Sequence, residues 1–201
     1  KEMYDQNMVT IVQNVAYENV DLSHFRGRDI WFMGGGANDY WQSGWMGRYL
    51  DSSFEGYPEE YPNDDMPDPL GLEFGYNMSL IYQREEGIPA GLAILDPDTF
   101  NQLVSGAGVD PPEWLPDSYY GDEMQYLMDI ELQSNQYADR IKEVYDEGIN
   151  SPNVVYPETY PGEVEETYQK NDLAWQLQAV AKMISGGSKT KTFLVKLNGF
   201  D

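Results

Sequence analysis

The chain has 201 residues, of which 41% are hydrophobic, and is long enough to bury one core of ordinary size. Twelve Lys and Arg stand against 35 Asp and Glu, which leaves a formal net charge of −23. Because this excess repels phosphate backbones and anionic headgroups, we expect no nucleic-acid partner and no membrane-surface role. The absence of cysteine excludes disulfides and thiolate metal sites, and no apolar run approaches the roughly 18 residues that span a bilayer.

The first half of the chain predicts one strand and two short helices. Residues 8–15 form a short, β-branched, apolar run that is typical of a strand buried on both faces of a parallel sheet. Residues 22–33 follow as a predicted helix that opens near Asp21 or Ser23 and ends at Gly34. A second short helix is predicted over residues 43–50, with its apolar side chains on one face.

The middle of the chain is rich in Pro, Glu and Asp. From residue 51 to 71 this composition predicts a long solvated loop, within an acidic, Pro-rich insertion at about 51–89. Residues 90–95 then read as a buried strand. Asp96 and the Pro after it predict the start of a helix over 98–104, which Gly106 closes.

The last third of the chain has the clearest periodicity. Apolar residues at three- and four-residue spacings predict a long amphipathic helix, Tyr119–Glu147, and a second helix over 173–184. Gly186 ends the second helix, and a strand is predicted at 192–197. A helix, a tight glycine turn and an apolar strand form the second half of a βαβ unit, so the predicted fold class is α/β, with a mostly parallel sheet flanked by helices.

Ser23 and His24 are the first candidate catalytic residues, and His24 is the one histidine of the sequence. Neighbouring side chains on a helix point about 100° apart, so this pair is not a self-contained serine-protease triad. Two interpretations stay open. Ser23 is either a capping residue beside a structural histidine, or a hydroxyl at a helix N-terminus, where the helix dipole favours an anionic group.

Asp201 and Arg48 are the other candidates. Asp201 follows the last predicted strand, at the end where open α/β sheets bind ligands, and is interpreted as a metal ligand, a catalytic group or a turn residue. Arg48 lies near Trp45 and is a candidate for binding a substrate anion, with surface packing as the alternative. The acidic run 63–68 lacks the spacing of a known calcium loop, which favours a solvated loop.

Three parts of the sequence, taken in order, resemble one bacterial family. They are Ser23-His24-Phe25 with Asp29-Ile30-Trp31, the run Gly44-Trp45-Met46-Gly47-Arg48-Tyr49-Leu50, and the predicted helix 173–184 with the strand that leads to Asp201. The family is sulfatase-like, of unknown function, exported by the twin-arginine pathway and related to the alkaline phosphatase superfamily. The resemblance implies that residues 1–201 are an internal portion of one such α/β domain, with an exported, periplasmic or extracellular location.

The resemblance also implies roles for two residues. In that family the last strand runs from Gly-Phe-Asp into Thr-His, so Asp201 corresponds to a metal ligand. Ser23 lies where the superfamily places its hydroxyl or thiol nucleophile. An earlier Gly-Gly-Asn-Asp-like motif and a later Asp-His pair of the family are absent from this sequence.

The implied chemistry is metal-assisted hydrolysis of a phosphate or sulfate ester, on an anionic small molecule or a polysaccharide. The cofactor would be a divalent metal: zinc, calcium or magnesium. One histidine and no cysteine cannot supply a zinc pair, so most ligands are expected outside this chain, in the remainder of the same polypeptide or in a protein partner. The alternative is a non-catalytic secreted binding or assembly subunit that retains the fold.

Overall fold

The computed structural model describes residues 5, 6, 8, 10, 12–20, 22–106, 112, 114–160 and 170–197. Within these residues the helices are α1 (His24–Met33), α2 (Trp45–Ser53), α3 (Pro97–Gly106), α4 (Tyr119–Glu147) and α5 (Asp172–Ser185), with one 3₁₀ helix at Leu80–Tyr82. The strands are β1 (Gly71–Phe74), β2 (Leu92–Ile94) and β3 (Thr192–Leu194).

The three described strands form one parallel sheet in the order β2-β1-β3. Leu72 in the central strand is paired with Leu92 on one side and with Phe193 on the other. Because parallel strands need crossover connections, α3, α4 and α5 lie between β2 and β3 in the chain. The predicted α/β class is confirmed in this form, as a small parallel sheet with helices.

Each face of the sheet has its own core. Side chains in a strand alternate between faces, so Leu72 and Phe74 point to one side and Gly71 to the other. The first core joins the sheet to α4 and α5, and its buried members are Leu72, Phe74, Leu92, Ile94, Tyr137, Ile141, Val144, Ala179 and Met183. The second core joins the sheet to α2 and the 3₁₀ helix, and its buried members are Leu50, Tyr57, Met66, Leu70, Ile81, Tyr82 and Ala90.

A close approach makes Gly71 necessary in the central strand. A β-carbon at this position would lie 2.3 Å from the Tyr82 ring, which is far inside van der Waals contact. The glycine therefore lets the 3₁₀ helix pack directly on the second face of the sheet.

The predicted helix ends agree well with the structure. Ser23 Oγ accepts a hydrogen bond from Arg26 N at 3.2 Å and caps α1, which ends at Gly34 with a left-handed φ of 68°. Asp96 Oδ1 accepts from Thr99 N at 2.8 Å and caps α3 as predicted. The bounds of α4 match the prediction, and α5 is one residue longer at each end than the predicted 173–184.

One prediction is wrong and another is confirmed in part. The described members of the predicted strand 8–15 are not in a strand, and Met8, Val12 and Val15 are exposed. A β-branched run is a strand only where neighbouring strands accept its backbone hydrogen bonds, and here none of the described strands does so. The predicted loop 51–71 is confirmed over residues 54–70, but it is not solvated throughout, since α2 continues to Ser53 and Leu70 is fully buried. β1 itself lies within the stretch 51–89 that we expected to be an acidic insertion.

Asp68 is a buried carboxylate just before β1. It is 1% exposed, its Oδ2 accepts from Lys189 N at 2.6 Å, and its Oδ1 accepts from Arg140 Nε at 3.1 Å. These bonds fasten the start of the central strand to α4 and to the segment before β3. A carboxylate is buried at this depth only where charged and backbone donors replace its hydration.

We therefore expect Asp68→Ala to lower the free energy of unfolding by about 2–4 kcal/mol, because it removes the acceptor of the Lys189 N–H and the buried partner of Arg140. Urea unfolding followed by circular dichroism measures the change. Asp65→Ala, in the exposed part of the same loop, is the matched control and should stay within about 0.5 kcal/mol. Equal effects of the two substitutions would contradict this role for Asp68.

Buried tyrosines predict a loss of stability at alkaline pH. Burial, together with the charge of Glu73, raises the pKa of Tyr82 to about 12, whereas a tyrosine in an unfolded chain has a pKa of about 10. Below pH ~10 the tyrosine is protonated in both states and its contribution is complete. Between about pH 10 and 12 the unfolded chain releases the proton and the folded protein keeps it, so the free energy of unfolding falls.

The predicted slope is at most about 1.4 kcal/mol per pH unit for one tyrosine. Tyr82→Phe should reduce the alkaline slope measured by urea unfolding, since it removes this proton. Tyr76→Phe is the control, because the Tyr76 side chain is 85% exposed. An unchanged slope in Tyr82→Phe would contradict the prediction.

Candidate functional site

A broad cleft of about 1740 Å³ opens at the carboxyl ends of the three strands. Open α/β sheets bind their ligands in this place, because the loops that leave parallel strands converge there. The lining comes from the strand exits 75–80 and 194–197, from Leu95, Asp96 and Asp98 after β2, from one side of α1, from the loop 156–159 and from the start of α5.

Glu73, Ser79 and Lys196 form a polar cluster at the floor of this cleft. Glu73 lies on the central strand and is completely buried. Its Oε1 accepts from Ser79 Oγ at 2.5 Å and pairs with Lys196 Nζ, while its Oε2 accepts from Ser79 N at 2.8 Å. Ser79 and Lys196 both line the cleft, so a fully buried carboxylate holds two polar side chains of the cleft floor.

Gln176 fixes the backbone of Lys196. The Gln176 amide donates from Nε2 to Lys196 O at 3.1 Å and accepts at Oε1 from Lys196 N at 2.7 Å. One side chain of α5 therefore bonds the backbone at a point where none of the described strands pairs with it. With Glu73 holding the ammonium and Gln176 holding the backbone, Lys196 is preorganised at the strand exit.

The charges of the described cleft lining are mixed. Its cations are Arg28, Lys170 and Lys196, and its carboxylates are Asp29, Asp96, Asp98, Glu158 and Asp172. Each cation is paired, Arg28 with Asp29 at 3.3 Å, Lys170 with Asp172 at 2.9 Å and Lys196 with Glu73. The first two pairs are exposed and contribute little energy, which leaves their cations free to exchange partners.

Aromatic side chains form much of the remaining wall. The ring of Trp175 packs edge-on against Phe74 with the centroids 5.5 Å apart, and Tyr76 projects from the exit of β1. Burial, with the charges of Asp98 and Asp96, raises the pKa of Tyr145, so its hydroxyl stays protonated at neutral pH. The wall thus offers ring faces and a hydroxyl donor beside the polar floor.

Ser23 and His24 lie at the beginning of α1. Ser23 caps the helix, and neither residue belongs to the lining of the cleft, which α1 reaches through Arg28, Asp29 and Phe32. The capping interpretation of Ser23 is therefore observed directly. The role of nucleophile stays a prediction from the resemblance.

Arg48 lies in a separate hollow of about 360 Å³ with Trp41. Its Nη2 donates to Met33 O at 2.7 Å, and its Nη1 donates to Ser43 O at 2.9 Å and to Ser43 Oγ at 3.0 Å. The guanidinium also stacks over the Trp41 ring, 4.9 Å from its centroid. These bonds tie the end of α1 to the turn before α2, which matches the packing alternative, and the structure does not bring Arg48 to the cleft.

Asp201 lies outside the described residues, so its distance from Ser23 is not part of the structure. Leu197, four residues earlier in the sequence, lines the cleft. Among the described residues, no group of three or more His, Asp or Glu side chains could hold a metal ion. The acidic run 63–68 serves the fold instead, through the buried Asp68.

The cluster of Glu73 and Ser79 was missed from the sequence. Its signal was the alternation of Leu72 and Phe74 around one acid, directly after Leu70. Such alternation over four residues is short for a strand, and a lone Glu in an acidic stretch normally indicates a solvated side chain.

Comparison of the chain with models of protein families, with curated proteins and with solved structures found no match. The fold defines this protein as an α/β protein with a small parallel sheet and a cleft at the carboxyl edge of that sheet. Across the ranges that the structure describes, no helix combines the length and the apolar character needed to cross a membrane.

The floor of the cleft predicts strong coupling between Lys196 and Glu73. Lys196→Met removes the cation from a buried carboxylate and should lower the free energy of unfolding by about 2–3 kcal/mol. The loss is no larger because the Lys196 side chain is one-third exposed, so solvent already screens part of the interaction. Adding Glu73→Gln should recover part of the loss, with a coupling energy of about 1–3 kcal/mol in urea unfolding.

Lys191→Met is the matched control for this cycle. Lys191 lies just before β3, whereas Lys196 lies just after it. The Lys191 ammonium is 5.7 Å from the centroid of the Phe54 ring and is not paired with Glu73. We expect no coupling between Lys191→Met and Glu73→Gln. Additive effects of the Lys196 and Glu73 substitutions would contradict the charge pairing.

Proposed function

We propose that this chain is part of an exported, metal-dependent hydrolase that cleaves phosphate or sulfate esters, within a fold of the alkaline-phosphatase or sulfatase type. The observation that carries the proposal is the cleft itself. It collects the exits of three parallel strands and places a cation, Lys196, and a hydroxyl, Ser79, side by side on a buried carboxylate. Ester hydrolysis needs these groups, a cation for the non-bridging oxygens and a hydroxyl or water for attack.

The charge balance of the cleft supports the need for a metal. Five carboxylates and three cations line its described part, so a dianionic ester requires further positive charge. A bound divalent ion would supply that charge and activate the attacking oxygen. The described residues alone do not fit such an ion, and the proposal therefore assigns the ligands to Asp201 and to residues outside this sequence.

The residues of this chain have separate tasks in the proposed reaction. Lys196 binds a non-bridging oxygen of the ester, since Glu73 holds its ammonium in the cleft and Gln176 holds its backbone. Arg28 and Lys170 lie at the walls, where they exchange Asp29 and Asp172 for the oxygens of the anion. Trp175 offers a ring face to the apolar part of the alcohol.

A second candidate function is a non-catalytic secreted binding or assembly subunit with the same fold. The pairing of the three cleft cations with carboxylates favours it, because net charge then contributes little to ligand binding. Shape and aromatic contacts would carry the affinity instead.

Turnover of p-nitrophenyl phosphate and p-nitrophenyl sulfate by the intact protein tests the proposal, together with metal analysis by plasma mass spectrometry. Lys196→Gln should lower kcat/KM about 10–100-fold, equivalent to about 1.4–2.7 kcal/mol, through the loss of one charged contact. Lys191→Gln, at the other end of β3, should leave kcat/KM unchanged. Each variant is assayed well below its unfolding temperature.

The outcomes separate the two candidates. Bound divalent metal and turnover that depends on Lys196 support the hydrolase. An intact protein that binds no divalent metal and turns over neither ester overturns it and leaves the binding subunit.

A further inference from the structure

One feature of the cleft floor distinguishes Ser79 from Ser23. Ser79 follows the central strand, lines the cleft and donates to a carboxylate that is 0% exposed. Ser23 caps α1, and its Oγ accepts from Arg26 N. A nucleophilic serine needs a proton acceptor within hydrogen-bond reach, and the 2.5 Å contact between Ser79 Oγ and Glu73 Oε1 provides one.

We propose that Ser79 is the nucleophile of the cleft, that Glu73 takes its proton and that Lys196 is shared between Glu73 and the substrate. This inference rests on the proposed function and deepens it. It replaces Ser23 in the role that the resemblance suggested.

The sharing of Lys196 gives the cluster its chemistry. In the absence of substrate the ammonium pairs with Glu73 Oε1, the same oxygen that accepts from Ser79. An anionic ester on the cleft floor competes for this ammonium, since its oxygens carry full negative charge. When Lys196 turns to the ester, Glu73 loses its cation in a desolvated position, which favours transfer of the Ser79 proton to the carboxylate.

The proposed reaction has two balanced steps. Ser79 Oγ attacks the phosphorus or sulfur, the new bond to Oγ forms, and the bond to the alcohol oxygen breaks. The proton passes from Ser79 to Glu73 and then to the alcohol oxygen, which leaves as the free alcohol. Water then attacks the same phosphorus or sulfur, the bond to Oγ breaks, and one proton of the water returns through Glu73 to Ser79, which releases phosphate or sulfate.

Two neighbours keep this arrangement rigid. The Ser79 backbone N–H donates to Glu73 Oε2, so the serine and the carboxylate are joined by two bonds. Gln176 holds the backbone of Lys196, so only the Lys196 ammonium has to leave Glu73 when the ester binds. The ammonium of Lys196 can therefore move without disturbing the strand exit.

Covalent trapping tests the inference directly. The intact protein is incubated with p-nitrophenyl phosphate or p-nitrophenyl sulfate, quenched in acid and mapped by peptide mass spectrometry. We expect the adduct on Ser79 and a loss in kcat of at least about 10³-fold in Ser79→Ala. Ser23→Ala and the exposed Ser52→Ala should keep both the adduct and the turnover.

A second measurement does not depend on turnover. Orthovanadate forms a five-coordinate adduct with an attacking oxygen, whereas inorganic phosphate binds only through its charge. Ser79→Ala should weaken binding of vanadate by at least about tenfold in calorimetry and leave binding of inorganic phosphate within about threefold, while Lys196→Gln should weaken both.

The variant Ser79→Cys covers the case in which Ser79→Ala unfolds, because the thiol keeps the volume and a donor beside Glu73. Its alkylation by iodoacetamide should be slowed by inorganic phosphate in the cleft, and its ester turnover should fall as in Ser79→Ala. If the unsubstituted protein turns over the ester and carries the adduct on Ser23, the role of Ser79 is overturned and the proposed function stands. Full activity in both Ser79→Ala and Ser79→Cys has the same meaning. A complete lack of ester turnover overturns the proposed function and this inference together.

Discussion

The burial of Glu73 on the central strand is the constraint on which the carboxyl edge of this protein depends. A carboxylate without water must receive donors from the protein, and three reach Glu73: the backbone and hydroxyl of Ser79, and Lys196. To bring Ser79 to Glu73, the chain must turn back sharply after β1. To bring Lys196 to Glu73, β3 must pair with β1 in the observed register. The same three donors therefore set the path of two strand exits and the floor of the cleft.

Asp68 imposes a similar constraint at the other end of β1. Its carboxylate accepts from Lys189 N, just before β3, and from Arg140 of α4, more than 70 residues away from Asp68 in the chain. The central strand is thus held at both ends by a buried acid that binds groups next to β3. In a sheet whose strands have three or four residues, the ladder offers few hydrogen bonds, so these charged contacts supply much of the specificity of the pairing.

The same two acids show where prediction from the sequence reached its limit. Helices α3, α4 and α5 were predictable because capping residues, apolar periodicity and terminal glycines agree along each segment. β1 was not, because Glu73 interrupts a run of four residues and a charged residue normally indicates solvent. The prediction for the run 8–15, whose described members are exposed, failed in the opposite way, since its composition suits a strand and the described fold offers it no partner.

The candidate site follows the same division. The position of the cleft was predictable, because a helix, a glycine turn and a strand define a parallel sheet, and ligands bind at its carboxyl edge. The residues on its floor were not, since Glu73 and Lys196 are 123 positions apart and meet only through the pairing of β1 with β3. Ser23 and Arg48 were chosen for their residue type, yet a helix cap and a turn already use their hydrogen-bonding groups.

This contrast explains why Ser79 is the better candidate for chemistry. The bonds of Ser23 and Arg48 stabilise local backbone that any sequence with those elements would need, and no ligand is required to account for them. The bond from Ser79 to Glu73 joins a hydroxyl that lines the cleft to a buried carboxylate, so it holds a strand exit and also places a proton acceptor beside a hydroxyl of the cleft. A buried acid that reaches a cleft through a serine and a lysine is the reason that we propose Ser79, and not Ser23, as the nucleophile.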